Sequence, residues 1–159
     1  MRKLKFYTIN NNYINYLNKF DSKVPYNKQE KRPYIGIIIE MNDITYFAPL
    51  FSPKETHSKY SDNPTYMRIG KQYGIIRFNN MIPVIKEELN YLDFNNIIDI
   101  KYKNLVIAQN NFIQKNTDKI IKKAEKLYKF VTVDKKDFFI NLSCDFKLLE
   151  EKAKLYPKQ

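Results

Sequence analysis

Several side chains able to act on a phosphate group follow one apolar run of the chain. The run covers residues 44–51, and the polar segment after it carries Ser52, Lys54, His57 and Lys59. A lysine ammonium can stabilise negative charge that develops on a phosphate, and a serine hydroxyl can donate a hydrogen bond to a phosphate oxygen. A histidine can exchange a proton near neutral pH or bind a phosphate, so His57 and Lys59 are also candidate RNA contacts. The segment therefore has the residue types needed for phosphate chemistry without a metal ion.

A purely structural interpretation of the same segment is also open. Pro53 fixes its own φ angle, so Ser-Pro-Lys could serve only as a turn that ends a strand. The lysines after it would then be ordinary solvated side chains. The segment alone does not decide between a turn and a catalytic site.

Most other kinds of active site are excluded by composition. The chain has three glycines, one histidine and one cysteine, Cys144, and it lacks both a phosphate-binding loop motif and a G-x-S-x-G motif. A zinc site built from cysteine and histidine is excluded by these counts, and so is a pair of catalytic histidines. The acidic residues of the first half are scattered, which argues against a two-metal nuclease. We therefore expect no metal and no cofactor, and RNA, whose own 2′-hydroxyl can attack the adjacent phosphate, is a suitable substrate.

The charge of the chain favours a polyanionic partner. Lys and Arg number 28 against 17 Asp and Glu, which gives a net charge of +11. Such an excess attracts nucleic acid, and the attraction weakens with salt. A basic, proline-bounded loop holds one aromatic ring and three candidate phosphate contacts, Tyr26, Lys28, Lys31 and Arg32. A compositional bias shared by a whole genome would produce the same charge without any function in RNA binding.

Periodicity predicts an α+β protein with one domain over residues 1–159. Runs of β-branched and aromatic residues predict strands at 4–9, 34–41, 44–51, 65–69, 74–78 and 81–85. Apolar residues at helical spacing predict helices at 13–20, 97–116, 118–131 and from 145 onward. We expect a small, curved antiparallel sheet or half-barrel surrounded by helices. No secretion signal or membrane span is recognised, so we expect a cytoplasmic protein.

An ordered set of motifs resembles the ToxN/AbiQ family of type III toxin–antitoxin endoribonucleases. The set is KFYTINNNYINYLNKFDSKVP, YIGIIIEMNDITYFAPLFSPKETH, MIPVI and, near the end, FKLLEEK. The resemblance covers nearly the whole chain and is densest over residues 5–57. Ser-Pro-Lys alone is a common tripeptide, whereas this order of motifs is specific.

The resemblance implies a fold, an activity and a partner. The fold would be a compact, highly curved antiparallel β-barrel-like core surrounded by helices, similar to the MazF/Kid toxins. The activity would be metal-independent cleavage of RNA at adenine-rich sites, leaving 2′,3′-cyclic phosphate and 5′-hydroxyl ends. The partner would be a repeat-derived antitoxin RNA that folds as a pseudoknot, inhibits the toxin and assembles with it into closed rings. Such systems defend bacteria against phage by abortive infection.

Carried over to matching positions, the resemblance makes Ser52 and Lys54 catalytic and places Tyr13 in the same site. One departure is Phe51, because some members have a threonine immediately before the serine. Two alternatives remain: a non-catalytic basic RNA-binding module, and a structural or protein-interaction domain.

Overall fold

The described part of the chain combines seven strands with five helices. The structure is a computed structural model that describes residues 3–39, 44–54 and 62–157. The strands are β1 (Phe6–Ile9), β2 (Tyr34–Ile39), β3 (Ile44–Phe51), β4 (Tyr66–Arg68), β5 (Ile75–Arg77), β6 (Ile82–Pro83) and β7 (Leu89–Tyr91). The helices are α1 (Asn11–Asn18), α2 (Ile100–Lys115), α3 (Thr117–Thr132), α4 (Asp137–Leu142) and α5 (Phe146–Leu155). Short 3₁₀ turns cover 78–80, 86–88 and 94–96.

The strands form one antiparallel sheet that is open rather than closed. Its order is β4-β5-β3-β2-β1-β7, and β6 pairs with β3 beside this path. Closure would require pairing between β4 and β7, the strands at the two ends of this order. The α+β class and the antiparallel sheet are confirmed, but the expected barrel-like core is wrong to the extent that it implies closure. The physical reason that the sheet stays open is its pairing pattern, in which β3 pairs with three strands, β2, β5 and β6. In addition, each of the end strands, β4 and β7, has only three residues.

The sheet is covered by helices, so its central strands are buried. Tyr34, Ile35 and Ile37 of β2 are fully buried. Helix α3 packs on β2, and α5 packs on β6. The sequence of β2 is therefore a continuous apolar run and does not alternate between apolar and polar residues.

A buried carboxylate joins α5 to the sheet and to α3. The hydroxyls of Tyr46 on β3 and Tyr128 on α3 both donate to Oε2 of Glu150, each at 2.5 Å. The ammonium of Lys147 lies 3.5 Å from the other oxygen. Because a buried carboxylate is tolerated only when it is paired and hydrogen-bonded, these contacts fix α5 in position.

The predicted elements match the observed ones, apart from some element boundaries and two elements that were missed. The long helices are confirmed, but α2 begins at Ile100, where the side chain of Asp99 accepts a hydrogen bond from the Tyr102 amide and caps the helix. Strand β7 and helix α4 were not predicted. The last two residues of the predicted strand at 34–41 lie outside the described residues. Within the described ranges, none of the helices combines the length and apolar character needed to cross a bilayer.

Candidate active site

The end of β3 is held in place by a close approach of β5. Phe51 pairs with Ile75, so the residue before Ile75 lies against the backbone that leads into Ser52. That residue is Gly74, with a φ of +99°. A Cβ at this position would collide with the carbonyl oxygen of Phe51 and lie 3.3 Å from the nitrogen of Pro53. Glycine is therefore required for this strand pairing to reach the start of the Ser-Pro-Lys segment.

Ser52 lies at the wall of a cleft between the sheet and α2. The cleft has a volume of about 800 Å³. Its wall includes Leu50 and Ser52 from the end of β3, Lys28 and Lys31 from the basic loop, and Tyr102 and Gln109 from α2. The side chains of Ser52 and Lys54 are both exposed. A substrate in this cleft could reach the hydroxyl without any change in the sheet.

Positive charges are concentrated beside Ser52. The pKa of Lys28 is lowered, first by partial burial and then by the charges of Arg32 and Lys54. Arg32 and Lys54 are thus each close enough to Lys28 to repel its charge. Such a cluster favours an anion, because a bound phosphate would relieve the repulsion. The structure places Arg32 and Lys54 near Lys28, and the predicted phosphate contacts of Lys28 and Arg32 stay a prediction.

Arg32 connects the basic loop to the end of β3. Its side chain is buried, with only 5% exposed. The Nε group donates to the carbonyl of Tyr26 at 2.7 Å, and Nη1 donates to the carbonyl of Leu50 at 3.1 Å. Burial lowers the pKa of this guanidinium. Arg32 therefore positions the site from below the surface, and its predicted direct contact with RNA stays a prediction.

Phe51 is packed against two guanidinium groups. The ring centroid lies 4.0 Å from the guanidinium carbon of Arg32 and 4.9 Å from that of Arg77. A cation over an aromatic face is attracted by the ring quadrupole. At position 51 this chain thus has a ring that holds two charged groups next to Ser52.

Tyr13 is a core residue in this structure. Its side chain is fully buried, and its hydroxyl donates to the carbonyl of Pro83 at 2.7 Å. Its ring meets that of Tyr156 edge to face at 5.0 Å. Burial raises the pKa of the Tyr13 hydroxyl, which makes it a poor proton donor to water or substrate. The catalytic role implied by the resemblance stays a prediction.

Two of the remaining predicted RNA contacts are exposed, and the other two lie outside the described residues. Tyr26 is 73% exposed, so its ring is accessible for stacking. The side chain of Lys31 is exposed at the cleft, and its carbonyl accepts a hydrogen bond of 3.4 Å from the Tyr102 hydroxyl. His57 and Lys59 lie outside the described residues. Among the residues that the structure does describe, no three His, Cys, Asp or Glu side chains are grouped so that they could hold a metal ion.

Sequence reasoning missed the residues that α2 contributes to the cleft. Gln109 is buried on the same helix face as Val106 and Ile113, at spacings of three and four residues. A polar residue at a core position of a helix was the signal that could have indicated it. Tyr102 gave no such signal, because an aromatic residue near a helix start is common.

Comparison with known proteins places these features in a family. Residues 5–154 match the sequence profile of the family described as "Toxin ToxN, type III toxin-antitoxin system". A relative from Bacillus thuringiensis subsp. kurstaki, named endoribonuclease ToxN, is 39% identical over 98% of this chain and 85% of its own length.

Solved structures agree over the full length of the chain. One, described as a type III toxin selectively inhibited by a non-coding RNA pseudoknot, superposes with a TM-score of 0.87 at 36% identity and covers 99% of this chain and all of that one. Another is AbiQ, described as a lactococcal anti-phage endoribonuclease, with a TM-score of 0.86 at 32% identity, covering 99% of this chain and all of that one. Since the profile, the relatives and the folds all extend over nearly the whole sequence, the chain belongs to the ToxN family of type III toxin–antitoxin systems.

Proposed function

We propose that this protein is a metal-independent endoribonuclease, acting as a single domain, and the toxin of a type III toxin–antitoxin system. The observation that carries the proposal is the position of Ser52 and Lys54 in an exposed, strongly basic region at the end of β3. Family membership supports it, because relatives at 35–39% identity are named endoribonucleases.

The proposed reaction is a transesterification within the RNA. The 2′-hydroxyl attacks the adjacent phosphorus and loses its proton, and the bond from phosphorus to the 5′-oxygen breaks. The products are a 2′,3′-cyclic phosphate and a 5′-hydroxyl, which receives a proton. No oxidant, metal or water is consumed in this step.

Ser52 and Lys54 supply electrostatic stabilisation in this scheme. The ammonium of Lys54 faces the negative charge that grows on the non-bridging phosphate oxygens, and the Ser52 hydroxyl donates to one of them. Lys28 and Lys31 bind neighbouring phosphates, and the exposed ring of Tyr26 stacks on an unpaired base. We assign no proton transfer to Tyr13, because its hydroxyl is occupied within the core.

The proposed inhibitor is a small antitoxin RNA with a pseudoknot fold. Support comes from a structural neighbour described as selectively inhibited by such an RNA, and from another whose system is described as regulated by a processed non-coding RNA. We further propose that toxin and RNA alternate in a closed ring, that the target is adenine-rich cellular or phage RNA in the cytoplasm, and that cleavage serves phage defence.

Incubation of the purified protein with an adenine-rich RNA in excess EDTA tests the activity. We expect cyclic phosphate and 5′-hydroxyl ends, and a rate lower by roughly 10²–10⁴-fold in Lys54→Ala. Lys119→Ala is the matched control, because it removes an exposed lysine from α3. RNA that is bound but not cut would refute the enzyme and favour a binding module. Equal activity in Lys54→Ala and Lys119→Ala would refute the role of Lys54.

A further inference from the structure

Gln109, which lines the cleft beside Ser52, carries a hydrogen-bond acceptor that has no partner in the described part of the chain. Gln109 is only 3% exposed, and its Oε1 makes no hydrogen bond within the described part of the chain. A buried amide oxygen left in this state costs free energy, so such atoms usually have a partner or a function. Gln109 also lines the cleft, which a ligand could enter.

The orientation of this amide is fixed. Nε2 of Gln109 donates to the carbonyl of Tyr73 at 2.9 Å. An exchange of the two amide atoms would place oxygen against oxygen, so the side chain is held with Oε1 on the other branch. Because Nε2 is already engaged, the amide atom of Gln109 that is left for a ligand is the acceptor Oε1 and not a donor.

The rest of the cleft wall suits a flat, largely apolar group. Leu50 and Leu105 contribute aliphatic surface, and Tyr102 contributes an aromatic ring whose hydroxyl is anchored to the Lys31 carbonyl. The volume of about 800 Å³ lies within the usual range for small-molecule sites. Nucleobases are recognised in such sites by stacking on an aromatic ring and by hydrogen bonds to the base edge.

We propose that this cleft is a nucleobase subsite in which Oε1 of Gln109 accepts a hydrogen bond from an exocyclic amino group of the base, while Tyr102 stacks on its face. The inference rests on the proposed ribonuclease function, because the cleft opens beside Ser52 and its basic rim would hold the attached phosphates. Adenine carries such an amino group at C6 and cytosine at C4, and this is the group that we assign to the subsite. Guanine has a carbonyl oxygen at that position, and its own amino group, at C2, lies at the opposite end of the Watson–Crick edge. Uracil presents a carbonyl oxygen at the equivalent position, which Oε1 would repel.

Removal of the amino group from the substrate tests the subsite directly. Adenosines on either side of the mapped cleavage position are replaced one at a time by purine riboside, which lacks only the 6-amino group, and cytidines by 2-pyrimidinone riboside. We expect kcat/KM of the wild-type protein to fall between about 5-fold and 100-fold at one position, the loss typical of an unpaired buried acceptor. Which base causes the loss identifies which of the two is read.

Variants of two glutamines on α2 assign the effect to one side chain. Gln109→Leu should cut the amino-containing and amino-lacking RNAs at equal rates, whereas Gln114→Leu should keep the wild-type ratio. Gln114 is the matched control because it also donates from Nε2 to a backbone carbonyl, that of Leu4, but does not line the cleft. Tyr102→Leu, which removes the stacking ring, should raise KM.

The outcomes separate this proposal from the proposed function. A wild-type protein that cuts all the modified RNAs as well as the unmodified RNA overturns the subsite and leaves the nuclease intact. A Gln109→Leu protein that loses the same factor on every RNA shows a structural role only and also overturns it. If no RNA is cut, the nuclease fails. Tighter binding of adenosine or cytidine monophosphate than of the amino-lacking analogue, lost in Gln109→Leu, would then support the subsite, and equal binding would overturn it.

Discussion

Replacement of Gly74 by alanine should damage the proposed catalytic site from a position outside it. The φ of +99° at Gly74 is unfavourable for any residue with a Cβ, which costs about 1–3 kcal/mol. The new Cβ would also overlap the carbonyl oxygen of Phe51 and lie 3.1 Å from its carbonyl carbon. Both atoms are backbone and cannot rotate away, so β5 and the Phe51–Ser52 segment must separate. A displacement on the order of 1 Å at a reacting group costs about 10²-fold in rate.

The assay for Gly74→Ala compares RNA cleavage with stability. We expect kcat/KM to fall about 10²-fold at a temperature where circular dichroism and urea titration show a folded protein. Gly70→Ala is the matched control, because Gly70 also has a positive φ, +61°, but its Cβ would meet only the side chain of Tyr73, at 3.1 Å. That variant should lose stability with little loss of activity. Wild-type kcat/KM in Gly74→Ala would refute the claim that this strand pairing positions Ser52.

Two further predictions concern the core. Tyr46→Phe should lower the free energy of unfolding by about 1–3 kcal/mol, because it removes one of two hydroxyls that donate to the buried Glu150 carboxylate. Urea titration checks this, and Tyr16→Phe, whose hydroxyl is only part-buried, should cost less. The thiol of Cys144 should react with iodoacetamide only after unfolding, because burial raises its pKa. Rapid alkylation of the folded protein, followed by mass spectrometry, would contradict that placement.

The parts of the fold that were predictable are those with local patterns. Strand β3 was placed at its observed bounds, and α3 within one residue at each end, because their apolar residues recur regularly. Strand β7 was missed because it is largely exposed and its partners in β1 lie about 80 residues earlier in the chain. Helix α4 has six residues and none of them is buried, so it carries no periodic signal.

The candidate site was predictable on one side only. Ser52 and Lys54 follow a strand directly, and a strand end places its polar neighbours at the surface. The opposite wall comes from α2, about 50 residues later, and only tertiary packing brings Tyr102 and Gln109 to the same cleft. Arg32 illustrates the same limit: its loop looks solvated, whereas its guanidinium is buried against Phe51. Pattern in the sequence identifies the candidate catalytic residues, whereas the packing that surrounds them is known only from the fold.

The arrangement around Ser52 would link the proposed RNA binding to the stability of the folded protein. The pKa of Lys28 is lowered by burial and by the charges of Arg32 and Lys54, and that of Arg32 is lowered by burial and also by Arg77. These lowered pKa values indicate that the cations lie closer together, and are less exposed to water, in the folded protein than in the unfolded chain. The fold therefore carries a local electrostatic cost that a bound phosphate would relieve. Since an antitoxin RNA that occupies the site would relieve this cost only in the folded state, the same contacts that block the site would also stabilise the toxin.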